Sequence, residues 1–147
     1  MTKYENLVDK VARDDNILFL PDDSNMHPAA SLKLGGDRAI LFNERAFPTE
    51  SERLVALAHE YGHCLADAFC RDDTYSLDYD RCENRAWRTA VTRELPLDKL
   101  LEAAEAVRAD DRLDVSELAA YLGLTPEFVL RAISVYTRMG LLHDEAI

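Results

Sequence analysis

Two histidines and a glutamate fall within five residues, His59-Glu60-Tyr61-Gly62-His63, and their types and spacing suit metal chemistry. On a helix, positions i and i+4 share one face with Cβ atoms about 5–6 Å apart, so His59 and His63 can each aim an imidazole nitrogen at one cation. Glu60 lies about 100° further round, outside that pair but near enough to take a proton from a water held by the cation. An HExxH run arises by chance about once in several hundred chains of this size. The spacing is therefore read as a metal site with Zn2+, one ion per chain, as the expected cofactor. Gly62 removes side-chain bulk beside it, at some cost in helix propensity.

A catalytic zinc takes three protein ligands and a water, so a third ligand must come from elsewhere. His27 and His143, the other two histidines, are far off in segments read as loop and tail. Asp67 is one turn past His63 but about 80° round from His59. Asp78, Asp80 and Glu83 come next. Glu83 is favoured because it opens a second helical pattern, ENRAWRTA, that can hold it rigidly opposite the first. Asp67, Asp78 and Asp80 remain alternatives, since acidic residues in such a stretch often form only a solvated loop. Tyr75 or Tyr79 can donate to an oxyanion, although covering the site or the core is the more ordinary role for them and for Trp87. Arg85 is expected in a structural ion pair, and Cys64 in packing off the ligand face.

Several elements must position these groups. Thr49 stands three residues before Glu52, the capping-box spacing, and the apolar run Leu54, Leu57, Ala58, Tyr61, Leu65 follows, which predicts a helix from about 50 to 69. Upstream, Tyr4, Leu7, Val8, Val11 and Ala12 predict an amphipathic helix over 2–14. Ile17 to Leu20, stopped by Pro21, reads as a buried strand, and PDDSNMHP as a surface loop. SLKL and RAILFN around Gly35-Gly36-Asp37 predict a β-hairpin. RDDTYSLDYD reads as a loop before a helix from about Arg81 to Arg93, which Leu95-Pro96 ends. Three short helices are expected beyond it, at about 97–109, 115–122 and 126–139. Asp114 and Thr125 cap the last two, Pro126 opens the third, and Gly123 and Gly140 close them.

The fold class expected is α+β: a small antiparallel sheet, the HExxH helix, a second ligand-bearing helix and a helical C-terminal cap. Composition agrees with a folded chain, 48% hydrophobic and 31% charged. No apolar run is long enough for a membrane span. The N-terminus MTKYENLVDKVARDD has no apolar signal region, so a cytoplasmic location is expected. Cys64, Cys70 and Cys82 contain no CxxC pair and are expected to be reduced thiols. A net charge of -11 argues against a phosphate-backbone partner.

Together these residues resemble the ImmA/IrrE metallopeptidases. The resemblance runs from Tyr4-Glu5-Asn6-Leu7 to Gly140. It rests on the HEYGH helix after a hairpin, on Glu83, Arg85, Ala86, Ala90, Leu95 and Pro96, and on LAAYLGLTPEFVLRAISVYTRMG. HEYGH alone is shared by many zincins; the combination is more specific. The chain departs from the family in carrying Trp87 and Thr89 where members often have Asn or Asp and an aromatic. The resemblance implies zinc held by His59, His63 and Glu83, with Glu60 as general base. It also implies a setting on a phage or mobile element, where relatives cleave or inactivate a helix-turn-helix repressor.

The domain organisation expected is a zincin-like core over 1–96 and a helical subdomain over 97–147 packed on it as one unit. DVSELAAYLGLTPEFVLRAISVYTRMGLL itself resembles a helix-turn-helix unit. From Asp110 to His143, however, it carries Asp110, Asp111, Asp114, Glu117 and Glu127 against Arg112, Arg131 and Arg138, a net of -2. Phosphate contacts need basic groups in excess, so Leu118, Leu122, Phe128, Val129, Ala132 and Val135 are read as packing or partner-holding residues. Two functions compete: a narrow-specificity zinc endopeptidase acting on a repressor, and a zinc-containing protein that sequesters such a repressor without cutting it.

Overall fold

The computed structural model describes residues 1–23, 27–69 and 77–143. The fold is α+β. Contacts within the chain group it into two units, Met1–Ala90 and Val91–Ile147.

The first unit opens with α1 (Lys3–Ala12), whose Thr2 and Glu5 form a reciprocal capping box and whose Tyr4, Leu7 and Val11 are buried. Three strands follow, β1 (Ile17–Pro21), β2 (Ala29–Leu34) and β3 (Asp37–Phe42), in the order β1-β3-β2. β2 and β3 are the expected hairpin, paired antiparallel from Ala29 with Phe42 to Leu34 with Asp37. Gly35 turns the corner at φ 62, which glycine adopts without a Cβ penalty. β1 runs parallel to β3, so the sheet is mixed rather than wholly antiparallel. The reason is connectivity: the chain passes from β1 to β2 at the other edge of the sheet, and the hairpin then turns β3 back between them, parallel to β1.

The register puts Ile17, Phe19, Ile40, Phe42, Ser31 and Lys33 on one face, where Ile17, Ile40 and Phe42 are buried with α1 and α2. The opposite face carries Leu18, Leu20, Leu32 and Leu34, all exposed. β1 is therefore not the buried strand that an apolar run suggested, because only one face of this sheet is covered among the described residues.

After a short 3-10 turn at Glu44–Ala46, α2 (Glu50–Leu65) is capped by Thr49, whose hydroxyl accepts from the Glu52 amide at 3.1 Å. Leu54, Leu57, Ala58 and Tyr61 bury its inner stripe. α2 ends four residues earlier than its periodicity suggested, because Asp67 takes a left-handed backbone at φ 52. The amide of Ala68 then bonds the His63 carbonyl at 2.9 Å and that of Asp67 the Cys64 carbonyl, which is a Schellman ending.

α3 (Leu77–Glu94) starts four residues earlier than expected and takes in part of the segment read as a loop. Ala86 and Ala90 are fully or almost fully buried. Cys64 is a free, buried thiol, whereas Cys82 is in a disulfide, correcting the expectation of reduced thiols there. A bridge depends on two Cα atoms meeting at about 4.4–6.8 Å in space, not on sequence spacing. Cys70 lies outside the described residues.

The second unit holds α4 (Leu97–Val107), α5 (Val115–Leu122) and α6 (Pro126–Arg138). Asp114 and Thr125 cap α5 and α6 as expected, Gly123 closes α5 at φ 71, and the two helices meet at 100°, within the range of a helix-turn-helix pair. Leu118, Phe128, Val129 and Ala132 are buried, and the Tyr136 hydroxyl donates to the Leu95 carbonyl at 2.7 Å. No single helix among the described residues is long and apolar enough to cross a membrane.

Candidate metal centre

Because α2 is continuous through residues 59–63, His59 and His63 share its face as the spacing requires, and their Nε2 atoms lie 3.1 Å apart. Opposite them α3 delivers Glu83, with Oε2 3.1 Å from His59 Nε2 and Oε1 3.1 Å from His63 Nε2. Gly62 makes this approach possible. A Cβ at that position would overlap the Ala86 carbonyl oxygen and touch the Ala90 amide nitrogen. The glycine thus serves helix-to-helix contact rather than space at the metal, and it brings α3 close enough for Glu83 to reach.

The protonation pattern of the cluster follows from its surroundings. His63 Nδ1 lies 2.5 Å from the Ala68 carbonyl, which can only accept, so Nδ1 carries the proton. The Nε2 of a neutral His63 then offers a lone pair, and it faces His59 Nε2 and a Glu83 oxygen. Two imidazole nitrogens and two carboxylate oxygens, all potential acceptors, converge within hydrogen-bond distance of one another. Such a set suits a cation, either protons or a metal. Zinc places its nitrogen and oxygen donors about 3.3 Å from one another in a tetrahedral set, close to the separations found. The residues present fit zinc.

Charge effects agree. Burial disfavours a charged Glu83, yet hydrogen bonds from His59 and His63 outweigh it and hold the carboxyl down to about 2. Burial likewise disfavours a charged His63, but the hydrogen bonds to Glu83 and to the Ala68 carbonyl prevail, and the ring keeps its proton above its ordinary value.

Glu60 is buried beside the cluster and offers an oxygen within 4.8 Å of one nitrogen of each imidazole, so two carboxylates compete for the third ligand place. Geometry favours Glu83, which meets both Nε2 atoms at 3.1 Å. Burial pushes the Glu60 carboxyl above its ordinary value, against the pull of His59 and His63 and of a hydrogen bond with Ser31. A carboxylate with a raised proton affinity next to a cation site is suited to general base work.

The other candidates for third ligand have different surroundings. Asp67 Oδ1 accepts from Lys33 Nζ and Arg38 Nη2, both at 3.1 Å, which lowers its pKa and ties the end of α2 to the hairpin. Asp78 and Asp80 are exposed in the first turn of α3, where negative charge complements the helix dipole. Among the described residues Arg85 makes no ion pair of the kind expected; its Nη2 donates at 2.7 Å to the Ala66 carbonyl, an orphan acceptor at the end of α2. Cys64 is buried with its thiol pushed up to about 12, as packing off the ligand face predicts. Tyr79 lies half-buried in α3, and Tyr75 lies outside the described residues.

Sequence reasoning missed three contributors. Ser31 gave no signal, because nothing in a strand pattern says which serine meets a glutamate 29 positions on. The Ala68 carbonyl could be found only once the left-handed Asp67 was known. The ring contact of Trp87 with His59, at 4.0 Å between centroids, depends on how α3 packs on α2 and has no sequence signal.

The family model for the IrrE N-terminal-like domain, Peptidase_M78, matches residues 16–134. The chain belongs to that peptidase family. The match takes in the hairpin, both site helices and most of α6, and it supports a metallopeptidase-like role with a zinc-dependent site. No curated protein and no solved structure matches the chain.

Proposed function

We propose that the protein is a zinc endopeptidase that hydrolyses a peptide bond in one specific protein, a helix-turn-helix repressor of a phage or mobile element, in the cytoplasm. The observation that carries this reading is the convergence of acceptors from His59, His63 and Glu83 beside a buried, proton-avid Glu60. The repressor, and with it the cytoplasmic location, rests on the family resemblance.

His59 and His63 through Nε2, with the Glu83 carboxylate, would hold the ion. Zinc bound there supplies Lewis acidity, polarising a carbonyl and lowering the pKa of water. Glu60 accepts a proton on its carboxylate as water attacks and gives it to the departing amine. Ser31 faces that carboxylate from β2, and burial keeps bulk water from competing for its proton. Ser31 belongs to β2, an edge strand whose second side pairs with no strand among the described residues. An extended substrate segment adding to that edge would pass Glu60, with main-chain hydrogen bonds setting its register. A flexible repressor linker fits this mode; a folded helix does not.

The test is to incubate the purified protein with a candidate helix-turn-helix repressor and map the products by mass spectrometry. One defined cut is expected, lost on chelation and restored by zinc. A repressor that is bound but left intact by the zinc-loaded protein would contradict the proposal and favour sequestration.

A further inference from the structure

The two histidines are supported in different ways. His63 has the usual arrangement of a ligating imidazole, its second nitrogen giving a hydrogen bond to a carbonyl, here that of Ala68. His59 has none: its Nδ1 is buried without a hydrogen-bond partner. A ring without that bond is free to turn about its side-chain torsions unless something else fixes it. Trp87 supplies a flat contact. Its indole lies against the His59 imidazole with centroids 4.0 Å apart and planes inclined by 28°. The edge of His63 also meets His59, at 4.5 Å and 75°. His59 is therefore in contact with an aromatic face and with a second imidazole, and both restrict the turning of its ring.

We propose that Trp87 is a positioning residue for the metal centre, holding His59 in its ligating orientation by stacking in place of the absent hydrogen bond. The inference rests on the metallopeptidase reading, since it assumes that His59 Nε2 receives the ion. The sequence supports the economy of this arrangement. Glu83 and Trp87 are four residues apart on α3, so the helix that offers the third ligand also carries, one turn on, the face that orients the first. Trp87 is also the single tryptophan of the chain, which makes its emission a direct report on the neighbouring imidazole.

The test needs no substrate. Zinc affinity is measured by competition with a chromophoric chelator for the parent and for Trp87→Phe, Trp87→Leu and Trp87→Ala, with far-UV circular dichroism as the check on folding. Loss of a group that orients a metal ligand typically lowers affinity about 10–100-fold. Trp87→Leu and Trp87→Ala are expected to show that loss, and Trp87→Phe, which keeps an aromatic face, to stay within about threefold of the parent. Zinc titrated into the parent is expected to change the tryptophan emission and to saturate at one equivalent. Should Trp87→Ala fail to fold, Trp87→Leu decides, since it fills much of the space without offering a ring face. Affinity unchanged in the folded leucine variant, a phenylalanine variant as weak as the leucine one, or emission indifferent to bound zinc would each overturn the proposal. A parent that binds no zinc would overturn the metallopeptidase reading along with it, whereas a zinc-binding parent with indifferent variants overturns this inference alone.

Discussion

At the scale of single residues, the candidate metal centre would set protons and a cation in competition for the same acceptors. Without metal, His63 holds a proton above its ordinary value of 6.5, and Glu83 takes up a proton only at about 2 instead of 4.5. The raised histidine adds stability that is complete below 6.5 and is lost as pH rises through its folded value. The depressed Glu83 adds stability that is complete above 4.5 and is lost as pH falls toward 2. Glu60, raised above 4.5 by burial, costs stability once it ionises and so also favours the acid side. The metal-stripped protein should accordingly be most heat-stable between about pH 4.5 and 6.5. Zinc, which needs deprotonated ligands, should move that optimum upward. Melting temperatures of chelated and zinc-loaded protein from pH 4 to 9 check this, and a chelated protein that grows steadily more stable from pH 5 to 8 would contradict it.

At the scale of elements, the site depends on how closely α2 and α3 approach and on how α2 ends. Gly62→Ala places a methyl group against the Ala86 carbonyl, backbone that cannot swing aside as a side chain would. The helices must separate, which should cost about 1–3 kcal/mol despite alanine's better helix propensity. Glu83, one turn before Ala86, would be drawn away from the histidines with them. A lower melting temperature together with weaker zinc binding is expected, and a stabilised Gly62→Ala variant would show the contact to be looser than described.

The sequence announced α2 through its Thr49 cap and apolar stripe, and the hairpin through Gly35-Gly36, because these are local signals. It placed His59, Glu60 and His63 for the same reason, since a fixed spacing on a capped helix leaves little freedom. It favoured Glu83 by its place on a rigid helix and left Asp67, Asp78 and Asp80 open. What it could not supply was non-local. The left-handed turn at Asp67, held by Lys33 and Arg38 from the hairpin, shortens α2 and creates the acceptor for His63. The approach of Ser31 to Glu60 depends on how a strand lies over a helix, which no periodicity encodes. The parallel pairing of β1 was also out of reach, because an apolar run does not say which neighbour a strand will choose.

At the scale of the whole molecule, a net charge of -11 bears on partners more than on fold. A helix-turn-helix repressor carries the basic face that phosphate contacts require, so opposite charges should speed its encounter with this protein. Raising salt from about 50 to 500 mM shrinks the Debye length to a few ångströms and should slow association at least several-fold, with smaller changes in dissociation. Stopped-flow or surface-binding kinetics would measure it, and a salt-independent association rate would count against a basic substrate.

The central claim, that Glu60 moves the proton in a zinc-dependent peptide hydrolysis, is tested most directly by Glu60→Gln. The substitution keeps the shape of the side chain, leaves His59, His63 and Glu83 in place, and removes the base. Parent and variant should be loaded with zinc, verified to hold equal amounts by metal analysis, and compared for cleavage of the partner repressor in single-turnover conditions. The account predicts equal zinc, equal repressor binding and a cleavage rate lowered at least about a hundredfold, in line with the loss of a general base. Cleavage, or repressor release, that continues at the parent's rate in the zinc-loaded variant would contradict it.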